Sequence, residues 1–109
     1  MANAYKVLGQ SAPSATTATT LYTVPAATEA VISTIVVANR AATAGSFRLS
    51  VRPNGAAQAD QHYLAYDVPI AANDSTTLTL GITVDATDVI TVYASSADMS
   101  FNVFGSEIA

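Results

Sequence analysis

His62 is the only histidine in the chain, so any imidazole base must be this residue. Its neighbours Gln61, Tyr63 and Tyr66 offer it no acid–base partner. A nucleophilic triad needs nucleophile, base and orienting acid converging in space. The scattered Ser and Asp residues give no such pattern, and His62 reads as an ordinary strand residue. The carboxylates are Glu29, Asp60, Asp67, Asp74, Asp85, Asp88, Asp98 and Glu107. Two of them across a cleft would be the minimum for glycoside hydrolysis. Most fall in predicted turns, where Asp bonds its own backbone. The run Asp85-Ala86-Thr87-Asp88 lacks the multi-ligand spacing of a dedicated calcium loop. No cysteine is present, which removes thiolate zinc sites, disulfides and a cysteine nucleophile. The five glycines are isolated, so no phosphate-cradling loop exists. The sequence therefore predicts no catalytic, cofactor-binding or metal-ligating residue, no cofactor, and a protein that is not an enzyme.

Side chains suited to contact are easier to find. Tyr5, Tyr22, Tyr63, Tyr66 and Tyr93 are the tyrosines, and aromatic rings are enriched at the centres of interfaces. Strand alternation puts Tyr63 and Tyr66 on opposite faces, which leaves at least one exposed. With Lys6 and Arg40, the residues Tyr5, Tyr63 and Tyr66 form the candidate partner-contacting set. The cations number four in all, Lys6, Arg40, Arg48 and Arg52, against a net charge of −4. That is too few to neutralise a phosphate backbone, so no direct nucleic-acid partner is expected. Charged residues make up 11% of the chain, under half of the roughly 25% usual in soluble domains. Thr, Ser and Ala stand in their place. The start, Met1-Ala2-Asn3-Ala4-Tyr5-Lys6, shows no signal-peptide pattern. No apolar run approaches the length of a membrane span, and no membrane partner is expected.

The elements that must position these residues are strands. Ser46 to Arg52 alternates strictly, with Phe47, Leu49 and Val51 on one face. Ser75 to Ile82 repeats the pattern with Leu78, Leu80 and Ile82 inward. Asp88 to Ser95 turns Ile90 and Val92 inward, and Ser100 to Phe104 does the same with Phe101 and Val103. Further strands are read at Tyr5–Gln10, Thr20–Val24, Ala30–Asn39 and Gln61–Val68, rich in β-branched residues. Pro53-Asn54-Gly55, Asn73-Asp74, Asp85–Asp88 and Ser96-Ala97-Asp98 supply the turns. About eight short strands at this spacing predict one all-β domain, a β-sandwich or small barrel, with a jelly-roll-like sandwich favoured. Residues 1–15 or so read as an extended N-terminal arm. The strand Ala30–Asn39 is apolar on both faces. Either a β-bulge near Ser33-Thr34 shifts its phase, or a neighbouring subunit covers its outer face.

Read as a whole, the chain resembles a family of small structural proteins of tailed bacteriophages, notably phages of marine bacteria and cyanobacteria. Carrying the resemblance are Val7-Leu8-Gly9-Gln10-Ser11-Ala12-Pro13, Leu21-Tyr22-Thr23-Val24-Pro25-Ala26, and Ser33 through Arg40. Phe47-Arg48-Leu49-Ser50-Val51, His62-Tyr63-Leu64-Ala65-Tyr66-Asp67 and Ile70-Ala71-Ala72-Asn73-Asp74 continue it. The end adds Leu80-Gly81-Ile82, Asp88 through Ser95 and Phe101-Asn102-Val103-Phe104-Gly105. These are turn-and-strand patterns spanning nearly the whole chain. The resemblance implies a capsid decoration (cement) protein or a tail-associated component. A compact domain without a helical or repetitive shaft favours decoration, as a homotrimer bound to the major capsid protein on the virion surface after assembly in the host cytoplasm. A tail, neck or fibre-associated component, or a carbohydrate-binding or adhesion module, stands as the alternative. An exposed cluster of aromatic rings on one sheet face would favour the carbohydrate reading.

Overall fold

The computed structural model describes residues 3–109. Nine strands form in chain order: β1 (Asn3–Ser11), β2 (Thr19–Thr23), β3 (Glu29–Asn39), β4 (Gly45–Arg52), β5 (Tyr63–Ile70), β6 (Ser75–Leu78), β7 (Ile82–Val84), β8 (Val89–Ala94) and β9 (Met99–Ile108). Short 3₁₀ turns at Pro53–Gly55 and Asp60–His62 lie between β4 and β5. Two antiparallel sheets pack face to face, one in the order β1-β9-β3-β6 with β7 also on β3, the other β2-β8-β4-β5. The expected β-sandwich is present.

Its strand order follows from one rule of pairing. β1 pairs with β9, β2 with β8, β3 with β6 and β7, and β4 with β5. The chain is thus one long antiparallel hairpin wound into two sheets, the jelly-roll arrangement. Counting β6 and β7 as halves of one strand gives the eight strands of that arrangement. Period-2 alternation fills the space between the sheets: Phe47, Leu49, Ile90, Val92, Phe101 and Val103 are buried together, with Ile35, Val37 and Met99. Phe47 and Phe101 meet edge to face across the sheets with centroids 6.2 Å apart, the geometry that ring quadrupoles favour.

Irregularities line up across the first sheet. β9 alternates without a break, Met99, Phe101, Val103, Gly105 and Glu107 facing inward. On one side of it β1 carries an extra residue between Val7 and Gly9. On the other, β3 carries one between Ile32 and Thr34. Ala30 and Ile32 are therefore inward before Ser33, and Ile35, Val37 and Asn39 after it. The bulge explains why β3 reads as apolar on both faces, and no covering subunit is needed for that pattern. Opposite the bulge the next strand breaks altogether. β6 pairs with Ile35–Ala38 and β7 with Ala30–Ile32, with Gly81 at φ +66° between them.

That break corrects two expectations. The run from Ser75 to Ile82 is not one strand, and Leu80 is not core but 51% exposed. Val51, Leu78 and Ile82 are half-buried against the core. The N-terminal segment also differs from an extended arm. From Asn3 to Ser11 it is the edge strand of the sheet, paired with β9 on both sides of the bulge at Leu8. Met1 and Ala2 of the expected arm lie outside the described residues.

Candidate functional site

The outer face of the β2-β8-β4-β5 sheet carries a cluster of rings. Arg48 and Tyr93 sit directly opposite on β4 and β8, on the face away from Phe47 and Leu49. On β5, two residues stand where β4 has one: Phe47 pairs with Val68 and Leu49 with Ala65, so Tyr66 and Asp67 together face Arg48. Asp67 takes φ +51° to close this bulge. Asx residues tolerate that left-handed region better than most.

The bulge gathers five side chains. The Arg48 guanidinium lies 4.1 Å from the Tyr66 ring centroid and 4.3 Å from that of Tyr93. Its Nε and Nη2 donate to Asp67 at 2.7 and 3.3 Å. Tyr63 packs edge-on against Tyr66 at 4.9 Å. The expectation that Tyr63 and Tyr66 face opposite ways is overturned, because irregular pairing between Tyr63 and Ala65 shifts the phase of β5. Hydrogen bonding to Asp67 raises the Arg48 pKa above its ordinary value, so it is a fixed cation with its own counter-ion. Tyr66 remains 56% exposed.

A second surface lies on the outside of the other sheet. Residues opposite one another share a face, so Val7 stands with Phe104 and Thr34, and Tyr5 with Ser106, Val31 and Thr83. Tyr5 is 81% exposed, and Val7 and Val31 are exposed beside it. Tyr5, Val31, Ser33 and Phe104 line a shallow, mostly apolar groove. Lys6 also borders this groove, but its Nζ is directed to the other side of β1, 2.7 Å from Glu107. Glu107 also accepts the Tyr22 hydroxyl at 2.5 Å, which ties β9 to β2 of the opposite sheet. Hydrogen bonds from Lys6 and then Tyr22 hold the Glu107 pKa below its ordinary value. Burial, followed by the Glu107 contact, pushes the Tyr22 phenol up.

The predicted contact residues therefore fall in three places. Tyr63 and Tyr66 come together, Tyr5 and Lys6 share β1 but point to opposite sides, and Arg40 is separate. Arg40 donates to Ser100 Oγ at 2.9 Å and to the Ala97 carbonyl at 3.2 Å, which braces the β8–β9 turn. Arg48, Asp67 and Tyr93 were not among the predicted contacts. The available signals were the aromatic ring of Tyr93 and the strict alternation of Ser46 to Arg52, which turns Arg48 away from Phe47 and Leu49.

The groups with potential chemistry are bound into the scaffold. His62 is the buried residue of an otherwise exposed 3₁₀ turn rather than part of a strand, its Nδ1 accepting the Ala59 amide at 3.1 Å. Asp88 accepts the amides of Asn54 and Asp85 at 2.8 and 2.9 Å. Among the described residues no three His, Cys, Asp or Glu side chains gather in a metal-holding group. Comparison with known proteins finds no matching family model, no matching curated protein and no matching solved structure.

Proposed function

We propose that this chain is a virion structural protein of a tailed bacteriophage, a decoration protein seated on the capsid lattice as a homotrimer. The observation that carries the reading is the outer face of β1, β9 and β3. There Tyr5, Val7, Val31 and Phe104 form an apolar strip bordered by Ser33, Thr34, Thr83 and Ser106. Hydroxyl-bearing borders cost little to desolvate compared with charges, and the nearest cation, Lys6, is already paired. The strip meets the major capsid protein, and the outer edge of β1 meets the neighbouring copy. Individually weak contacts suffice, because many equivalent ones act on one particle. The family resemblance along nearly the whole chain points the same way.

Co-sedimentation with undecorated capsids tests the reading. Saturable binding is expected, and Val31→Glu should weaken it about tenfold or more, since a carboxylate would be buried against an apolar partner. A protein that never pellets with capsids, or that binds them equally well as Val31→Glu, overturns the reading. Binding to tails alone would assign it to the tail instead.

A further inference from the structure

We propose that the outer face of the β2-β8-β4-β5 sheet is a binding platform for a neutral glycan chain, centred on Tyr66. The site stands apart from the capsid-facing strip, which lies on the other sheet. A pyranose ring presents a face of C–H bonds that stacks on aromatic rings, with hydroxyls around its rim. The cluster offers the matching parts. Tyr66 is 56% exposed and supplies a ring with the Arg48 guanidinium over it at 4.1 Å. Tyr63 and Tyr93 flank it through the edge contact and the shared guanidinium. Asp67, with 49% of its side chain exposed, has carboxylate oxygens available to accept sugar hydroxyls.

Three features favour this ligand over others. The platform is electrically balanced, since Arg48 is neutralised by Asp67 at 2.7 Å. An anionic ligand would have to displace that carboxylate. The rings are held in place by the guanidinium between Tyr66 and Tyr93 and by the β5 bulge. Little side-chain entropy is left to lose on binding, and tyrosine has few rotatable bonds to begin with. The face is also a sheet surface rather than an enclosed pocket, which suits a chain lying across it better than a small molecule sealed within it.

Titration of the full chain with soluble hexasaccharides tests the platform, using cellohexaose, maltohexaose and chitohexaose. The chain has no tryptophan, so its intrinsic fluorescence comes from the five tyrosines. Saturable fluorescence change with at least one hexasaccharide is expected, with a Kd on the order of 1 mM or tighter. Amide shifts in a ¹⁵N spectrum should centre on Arg48, Tyr63, Tyr66, Asp67 and Tyr93. Tyr66→Ala should weaken binding about tenfold, as loss of a stacking ring does, and Tyr66→Phe should keep it within about threefold. Leu80→Ala, remote from the cluster, should leave it unchanged. A folded Tyr66→Phe protein that loses binding, shifts centred on β1 and β9, or no saturable response to any hexasaccharide up to about 10 mM would overturn the proposal.

Discussion

Glu107 and Tyr22 together make stability depend on pH at both ends of the scale, with burial of Tyr22 the larger cause at the alkaline end. Its carboxylate is held below the ordinary value by Lys6 and Tyr22. Its contribution is present above the carboxylate range and is lost as pH falls through the depressed folded-state value. The Tyr22 phenol is raised, so its contribution is intact below its ordinary value of 10.0 and is lost as pH rises beyond it. Denaturant titrations across pH should show a loss on each side. Tyr22→Phe should flatten the alkaline limb, and Glu107→Gln should flatten the acid limb and reduce the alkaline one. An unchanged alkaline limb in Tyr22→Phe would remove Tyr22 as its source. Asn39 matters differently. It is buried at the end of β3, where its amide donates to the carbonyls of Thr43, Ile70 and Ala71 at 3.0, 3.3 and 3.2 Å. Its Oδ1 accepts the Ala41 amide at 3.0 Å. Asn39→Asp places a carboxylate oxygen against three carbonyls, and chemical denaturation should show a loss of about 2–4 kcal/mol at neutral pH. The sequence did not mark Asn39, because two of its four side-chain partners, Ile70 and Ala71, lie 31 and 32 positions away.

The strands themselves were legible because their apolar residues recur every second position, as in Phe47-Leu49-Val51 and Phe101-Val103. What this pattern hides is where the phase slips. In β3 the two-faced apolar run could mean a bulge or a covered face, and only the pairing with β9 decides for the bulge. In Ser75–Ile82 the alternation looks unbroken, yet the strand has to stop opposite that bulge, which sends Leu80 into solvent. In β5 a slip brings Tyr63 and Tyr66 to one side. Each case depends on a partner strand distant in sequence, which a local period cannot report. The bulges also give Gly105 its place. A Cβ there would sit 2.1 Å from the Val31 carbonyl oxygen, a backbone atom with nowhere to go. Gly105→Ala should cost about 2–4 kcal/mol, read as a fall in the denaturation midpoint, because β9 must move away from β3. Gly105→Ala with wild-type stability would show that β9 and β3 approach less closely than this.

At the scale of the whole molecule, a jelly roll leaves two outer faces, and here they differ. One presents an apolar strip between hydroxyls, with Tyr5 and Val31 at its centre. The other presents rings braced by an arginine and an aspartate. The fold class was readable from composition and period, but the difference between faces was not, since it rests on which residues the windings of one long hairpin bring side by side. The division has a functional sense in the proposed decoration protein: the strip turns toward the capsid, and the tyrosine platform turns toward the surroundings of the particle. Cryo-electron microscopy of the virion carrying this chain tests that account most directly. Trimers over the capsid surface are expected, with Tyr5, Val7 and Val31 against the major capsid protein and Tyr66 facing outward. A capsid with no density for this chain, or density with Tyr66 against the shell and the Val31 face open to solvent, would contradict it.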